Sequence, residues 1–266
     1  MSASISVTVN GRPKEIPIEI NLSQNTSDLS QNPTGVLLTH GAGGDLSSGN
    51  LPNYARSFAE AGFPCLRFTC RGPLAHRVDV AKELLLSQQP LPSFPRVTQW
   101  IISGHSMGSR VAAQLASDLP NIVVASIFFF YPLHPPGAPE KLRDDPLASL
   151  TLPLLFIRGM KDPFCTEKPW KQVLKRLKGG VVEVHSVQGG GHGLAVSTGR
   201  GGKDHAKEEV LSKVLDAVKE FCERVMSFSR GKQRKKTVTT TQEKRKRHLP
   251  TPAVPKTSPK KKPKRK

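Results

Sequence analysis

Ser106 stands at the centre of Gly104-His105-Ser106-Met107-Gly108. A serine hydroxyl is a weak nucleophile until an imidazole accepts its proton and a carboxylate holds that imidazole in one tautomer. Asp162, in Gly159-Met160-Lys161-Asp162-Pro163, follows 56 residues later, and His192, in Gly189-Gly190-Gly191-His192-Gly193, 30 residues after that. The three residue types together have the chemistry of acyl transfer: attack on a carbonyl carbon, a proton passed through the imidazole, release of the acyl group to water. Each has a plainer reading. The glycine-flanked serine fits a loop, Asp162 a turn or helix cap before Pro163, and His192 an exposed position in a flexible glycine turn. Their order along the chain joins them.

Attack on a carbonyl builds an oxyanion, which needs two backbone N–H donors. The residue after the nucleophile, Met107, supplies one. His40-Gly41-Ala42-Gly43-Gly44 is placed to supply the other, from Ala42 first and Gly43 next, because glycine lets a backbone approach a ligand closely. The segment is not a phosphate loop, since the Gly-Lys-Ser/Thr ending is absent. His105 beside the nucleophile, and His134 and Arg143 in the segment 132–151, are candidate substrate contacts at the mouth of the site. Arg143 fits either a bidentate partner for a substrate carboxylate or a solvated loop charge. The four cysteines, Cys65, Cys70, Cys165 and Cys222, lack metal-ligand or CxxC spacing. They read as buried thiols, and neither metal nor organic cofactor is expected.

These residues need elements to carry them. Ile101-Ile102-Ser103 climbs into the serine motif, and Val111 to Ala116 leaves it with helical character, so strand, tight turn and helix are expected around Ser106. Further buried strands are expected at Gly35–Thr39, Phe63–Thr69, Ile122–Tyr131, Leu152–Ile157 and Val181–Val187. Helical stretches separate them at Leu51–Ala61, Val78–Leu86 and Glu167–Leu177. Alternating strands and helices predict a mostly parallel sheet covered on both faces, with functional residues after the strands' carboxyl ends. Ile5–Val9 and Ile16–Ile20 alternate around Asn10-Gly11 and predict a hairpin at a sheet edge, where Pro17 needs no partner for its missing N–H. A polar loop is expected from there through Pro33. Ala206–Phe228 closes the domain with a long amphipathic helix bearing Val210, Val214, Val218, Phe221 and Val225 on one face. Only about twenty residues, Pro132–Thr151, are free for an insertion, too few for a separate lid domain.

The net charge of +19 is distributed unevenly. From Arg230 onward the chain carries 16 basic side chains and one acid, whereas the preceding 229 residues carry 24 and 20. The basicity therefore belongs to a tail, 230–266, and not to the domain, 1–229. With almost no apolar residues, that tail is expected to be disordered. It suits an import receptor, a polyanion, or mere solubility. It lacks the interleaved aromatics of a base-stacking segment, so sequence-specific nucleic-acid binding is not expected. With no apolar signal core and no run approaching a membrane span, the chain is expected to be intracellular, in nucleus, cytoplasm or both.

Leu38-Thr39-His40-Gly41-Ala42-Gly43-Gly44-Asp45, Leu66-Arg67-Phe68-Thr69-Cys70-Arg71-Gly72, Ser106-Met107-Gly108-Ser109-Arg110, Tyr131-Pro132-Leu133-His134 and Lys141-Leu142-Arg143-Asp144 resemble the testis-expressed protein 30 family. That family shares an α/β-hydrolase-like domain with subunit 3 of the NSL histone acetyltransferase complex and is distantly similar to dienelactone hydrolases. The resemblance spans about residues 5–228 and implies an α/β-hydrolase fold, with the family's Ser, Asp and His at Ser106, Asp162 and His192. A relative carries Arg where this chain has His105, which changes the charge beside the nucleophile. The expectation is a serine hydrolase acting on a small ester or thioester. The alternative is an idle hydrolase-fold module that binds a protein partner, as in a nuclear complex.

Overall fold

Val36-Leu37-Leu38, Ile101-Ile102 and Ile127-Phe128-Phe129 are apolar on successive residues, so a strand made of them needs cover on both faces. The computed structural model describes residues 1–9, 11–23, 34–86, 94–194 and 207–227. In order these form β1 (Ser2–Val9), β2 (Arg12–Asn21), β3 (Thr34–Thr39), α1 (Leu51–Glu60), β4 (Cys65–Phe68), α2 (Leu74–Leu86), β5 (Gln99–His105) and α3 (Met107–Asp118). Then follow β6 (Val123–Phe129), α4 (Asp145–Ser149), β7 (Leu154–Gly159), α5 (Glu167–Leu174) and β8 (Val182–Val187). A last helix, α6, spans 207–227.

One eight-stranded sheet has the order β1-β2-β4-β3-β5-β6-β7-β8. It is parallel from β4 through β8 and antiparallel where β1, β2 and β4 pair. Successive strand residues split between its faces. Leu37, Ile102, Phe128 and Phe156 pack with α2, α3 and α5, through side chains such as Val80, Leu115 and Trp170. Val36, Leu38, Ile101, Ile127 and Phe129 pack instead with Tyr54 and Phe58 of α1 and Val214, Val218 and Phe221 of α6. Tyr54 stacks on Phe129 with ring centroids 3.8 Å apart. Truncating a core aromatic of this kind to alanine costs about 3–5 kcal/mol.

The fold is thus the expected α/β-hydrolase architecture, a mostly parallel sheet flanked by helices. Between β6 and β7 the chain makes only the five-residue α4, so no lid domain is inserted there. Pro17 is a correction. Its strand, β2, is not the edge: β1 takes that place, and β2 lies between β1 and β4. The proline is tolerated because the β2–β4 ladder ends at Ile18 opposite Phe68. Its missing N–H falls just past that end, while its carbonyl still accepts the Thr69 N–H at 2.9 Å. The hairpin pairs Val9 with Arg12 around Gly11, at φ +74°. Asn10, most of the polar loop through Pro33, the expected helix ends at Ala206 and Phe228, and the basic segment 230–266 lie outside the described residues. Among the described residues no helix is long and apolar enough to cross a membrane.

Register decides where function can sit. Thr39 lies opposite Gly104, His105 opposite Phe129, Phe129 opposite Ile157, and Gly159 opposite Val187. Five parallel strands therefore end side by side, and the loops after them open onto one edge of the sheet.

Candidate active site

Ser106 sits where β5 turns into α3. Its backbone is in a strained left-handed conformation, φ +54° and ψ −115°, and it occupies the N-cap of α3. A non-glycine residue takes such a φ only where its surroundings enforce it. Here the Ser106 N–H donates to the Phe129 carbonyl at 2.9 Å, and the Ser109 hydroxyl lies 2.6 Å from the Gly104 carbonyl and 2.9 Å from that of Phe129. The flanking glycines are steric necessities. A Cβ on Gly104 would lie 2.3 Å from the Gly108 carbonyl carbon, and one on Gly108 would lie 2.4 Å from the Thr39 carbonyl oxygen. The turn can therefore hold only glycine at both positions.

His192 and Asp162 reach this turn from the ends of β8 and β7. The Lys161 N–H donates to the Gly190 carbonyl at 2.8 Å and the Met160 N–H to the Val187 carbonyl at 3.1 Å, so the two loops are tied together. Gly159 permits the approach: a Cβ there would stand 2.1 Å from the Gly191 carbonyl oxygen. Asp162 is buried, with Oδ1 accepting the Phe164 N–H at 2.8 Å. Its Oδ2 lies 2.8 Å from His192 Nδ1, and His192 Nε2 lies 2.7 Å from Ser106 Oγ. The carboxylate, an acceptor only, fixes the ring proton on Nδ1 and leaves Nε2 to accept the serine proton.

The loop after β3 is braced from beneath. The Cys70 N–H donates to His40 Nε2 at 2.9 Å, which leaves the ring proton on Nδ1, donating to the Gly41 carbonyl at 2.7 Å. The buried Arg77 guanidinium donates to the His40 carbonyl at 2.5 Å, and both its terminal nitrogens lie 3.5 Å from the Gly41 carbonyl. Burial first, and the Arg77 charge next, hold the His40 pKa below its ordinary value. Through these two groups the loop is tied to the segment after β4 and to α2. Ala42 lines the space in front of Ser106; Gly43, at φ +69° inside the Gly41–Gly44 turn, does not. Of the two expected loop donors, Ala42 is the one on the cleft lining. The Ala42 and Met107 N–H groups have no hydrogen-bond partner among the described residues.

The cleft measures about 500 Å³ and is lined by Ala42, Leu51, His105, Ser106, Met107, Pro132, Phe164 and His192, with Arg110 and Arg143 among the rest. His105 is on its lining. Burial, reinforced by His192, pulls its pKa down to about 4, so the imidazole is neutral at physiological pH. His134 does not reach it. It is buried, with Nδ1 2.8 Å from the Pro135 carbonyl and Nε2 2.8 Å from the Thr166 hydroxyl. It bridges the segments after β6 and β7, because the chain turns inward at Leu133 and not toward solvent. Three residues near the relay escaped the sequence reading. Phe164 lies over His192 with ring centroids 4.4 Å apart. Phe130, at φ +54°, stands edge-on to the same ring at 6.5 Å. Arg110 lines the cleft as well, and its place one turn after Ser106 is the signal for it in the sequence.

A family model described as an alpha/beta hydrolase domain matches residues 32–223. Est1E from Butyrivibrio proteoclasticus superposes with a TM-score of 0.65 at 15% identity, over 84% of this chain and 99% of that one. An α/β serine hydrolase without a lid from Xanthomonas campestris gives 0.61 at 17% identity, over 84% and 94%. Dienelactone hydrolase from Anabaena variabilis gives 0.57 at 19%, over 84% and 97%. At these identities the likeness is one of fold.

Proposed function

The chain belongs to the alpha/beta hydrolase domain family, and from that premise we propose that it is a serine hydrolase of small carboxylic esters or thioesters. One observation carries the reading: the unbroken line from Ser106 Oγ through His192 to the buried Asp162, at 2.7 and 2.8 Å. Ser106 Oγ attacks the carbonyl carbon while its proton passes to His192 Nε2. Asp162 stabilises the imidazolium, and the Ala42 and Met107 N–H groups receive the oxyanion at the positive end of α3. The imidazolium then protonates the departing alcohol or thiol, leaving the acyl group on Ser106. A water gives its proton to His192 and attacks the acyl carbon. Collapse of the second tetrahedral intermediate returns the proton to Ser106 and frees the acid. Each proton and electron pair is accounted for without a metal or an organic cofactor. The open cleft suits a small or surface-presented substrate.

Within the family, the motifs at 38–45, 66–72, 106–110, 131–134 and 141–144 support kinship with the testis-expressed protein 30 group. The basic segment 230–266 supports a separate role for the tail, as an import signal or polyanion contact, and with it a nuclear or cytoplasmic site of action. A fluorophosphonate probe tests the reading. Wild type is expected to be labelled on Ser106, and labelling is expected to be lost in Ser106→Ala and to slow by about 10³-fold or more in His192→Ala. Folded wild type that is not labelled would refute hydrolysis and favour the idle binding module.

A further inference from the structure

Two guanidinium groups face the cleft, and among the described residues neither has an acidic partner. Arg110 lies on the first turn of α3, four residues past Ser106, with Nη1 3.9 Å from the Met107 Sδ. Arg143 comes from the segment after β6, and its backbone is fixed: its N–H donates to the Leu133 carbonyl at 2.8 Å, and its carbonyl accepts the Tyr131 hydroxyl at 2.6 Å. Both side chains are half-buried and line the same cavity. Among the described residues neither joins an ion pair, and Asp144, the acid next to Arg143, is bound to Arg176 at 2.5 Å. Burial first, and then the Arg143 charge, act to lower the Arg110 pKa.

Holding two cations together without an anion is unfavourable, and the cost is relieved when an anion sits between them. A guanidinium fork matches the oxygens of a carboxylate or phosphate with paired N–H donors, which a hydroxyl or amide cannot reproduce. The neighbouring lining is apolar, from Leu51, Met107, Pro132 and Phe164. A hydrocarbon linker suits that lining, while the arginines fix its charged end. Two arginines from different elements, one beside the nucleophile and one on a backbone-anchored loop, define the distance between charge and scissile carbonyl.

We infer that the cleft takes esters or thioesters bearing a carboxylate or phosphate apart from the carbonyl under attack, and that Arg110 and Arg143 clamp that anion. As a statement about substrate this rests on the hydrolase reading above. The anion site itself does not, so the two can fail separately.

Three esters of 4-nitrophenol separate the possibilities in full-length protein: the neutral butyrate, the glutarate monoester with a free carboxylate, and a butyrate whose chain ends in a phosphate. Wild type is expected to prefer one or both anionic esters to the neutral one by about tenfold or more in kcat/KM, from charge-assisted pairing. Arg110→Met and Arg143→Met, checked for unchanged circular dichroism, are expected to bring that ratio toward one. Arg→Lys variants are expected to keep part of it, because charge survives and the fork does not. Whichever anionic ester is preferred identifies the anion. In parallel, calorimetry on Ser106→Ala is expected to detect glutarate or inorganic phosphate binding that either Arg→Met change abolishes. Labelling of Ser106 with no anionic preference and no anion binding would overturn the clamp and leave the hydrolase standing. A preference that survives both Arg→Met changes would overturn it equally. Anion binding without hydrolysis of any ester would support the clamp and refute the hydrolase.

Discussion

His105 separates Gly104 from the nucleophile, its ring 6.1 Å from that of His192 and 5.6 Å from that of Phe130. Its pKa, held near 4 in the fold against an ordinary 6.5, has a consequence for stability. Between those values the unfolded chain binds a proton that the folded chain refuses. The contribution is therefore complete above about pH 6.5 and is lost as pH falls toward 4, at up to about 1.4 kcal/mol per unit. His40 and His185, also held below the ordinary value, act with the same sign. Replacing His105 by glutamine is expected to flatten the dependence of the urea midpoint on pH between 4 and 6.5, leaving the slope of the other two. An unchanged slope would mean that His105 titrates normally in the fold. The same neutrality means that His105 adds no positive charge beside Arg110 and Arg143.

At the level of elements, the site depends on two close approaches of backbone. One is β5 and α3 against the end of β3, made by Gly104 and Gly108. The other is the end of β7 beneath the histidine loop, made by Gly159. Gly159→Ala would put a methyl 2.1 Å from the Gly191 carbonyl oxygen, and relief requires the loop to move with His192 on it. Fluorophosphonate labelling is expected to fall by about 10²-fold or more, a larger loss than the shift in urea midpoint accounts for, since misplacement of about 1 Å has that effect on catalysis. Labelling that falls only as far as the folded fraction would show that the loop tolerates the change.

For the whole molecule, charge is spread unevenly along the chain. Residues 1–226 form one compact unit carrying the sheet, its helices and the cleft. Arg230 onward carries 16 of the 40 basic side chains. Deleting 230–266 is expected to leave the thermal midpoint and Ser106 labelling within error. The same deletion is expected to abolish salt-sensitive binding to heparin or nucleic acid, which in the full chain weakens steeply from about 50 to 200 mM salt. Binding that persists in the deleted protein would place the polyanion contact on the domain instead.

Much of this architecture was readable one residue at a time. Apolar runs such as Val36-Leu37-Leu38 and Ile127-Phe128-Phe129 specify strands buried on both faces, because only a doubly covered sheet hides successive side chains. Glycines at 104 and 108 announce a turn that no other residue fits, and Ser106, Asp162 and His192 fall in the loops after β5, β7 and β8. Local pattern carried this information because each signal lies within a few residues. What depended on distant partners did not appear. Strand order made β2 an inner strand, so Pro17 is tolerated by the end of a ladder. His134 turned inward to Thr166, 32 residues away, and the Arg77 brace under His40 joins α2 to the β3 loop. Arg110 and Arg143 face one cavity only because α3 and the segment after β6 converge there. Tertiary packing alone decides which charges meet and which are left without a counter-ion.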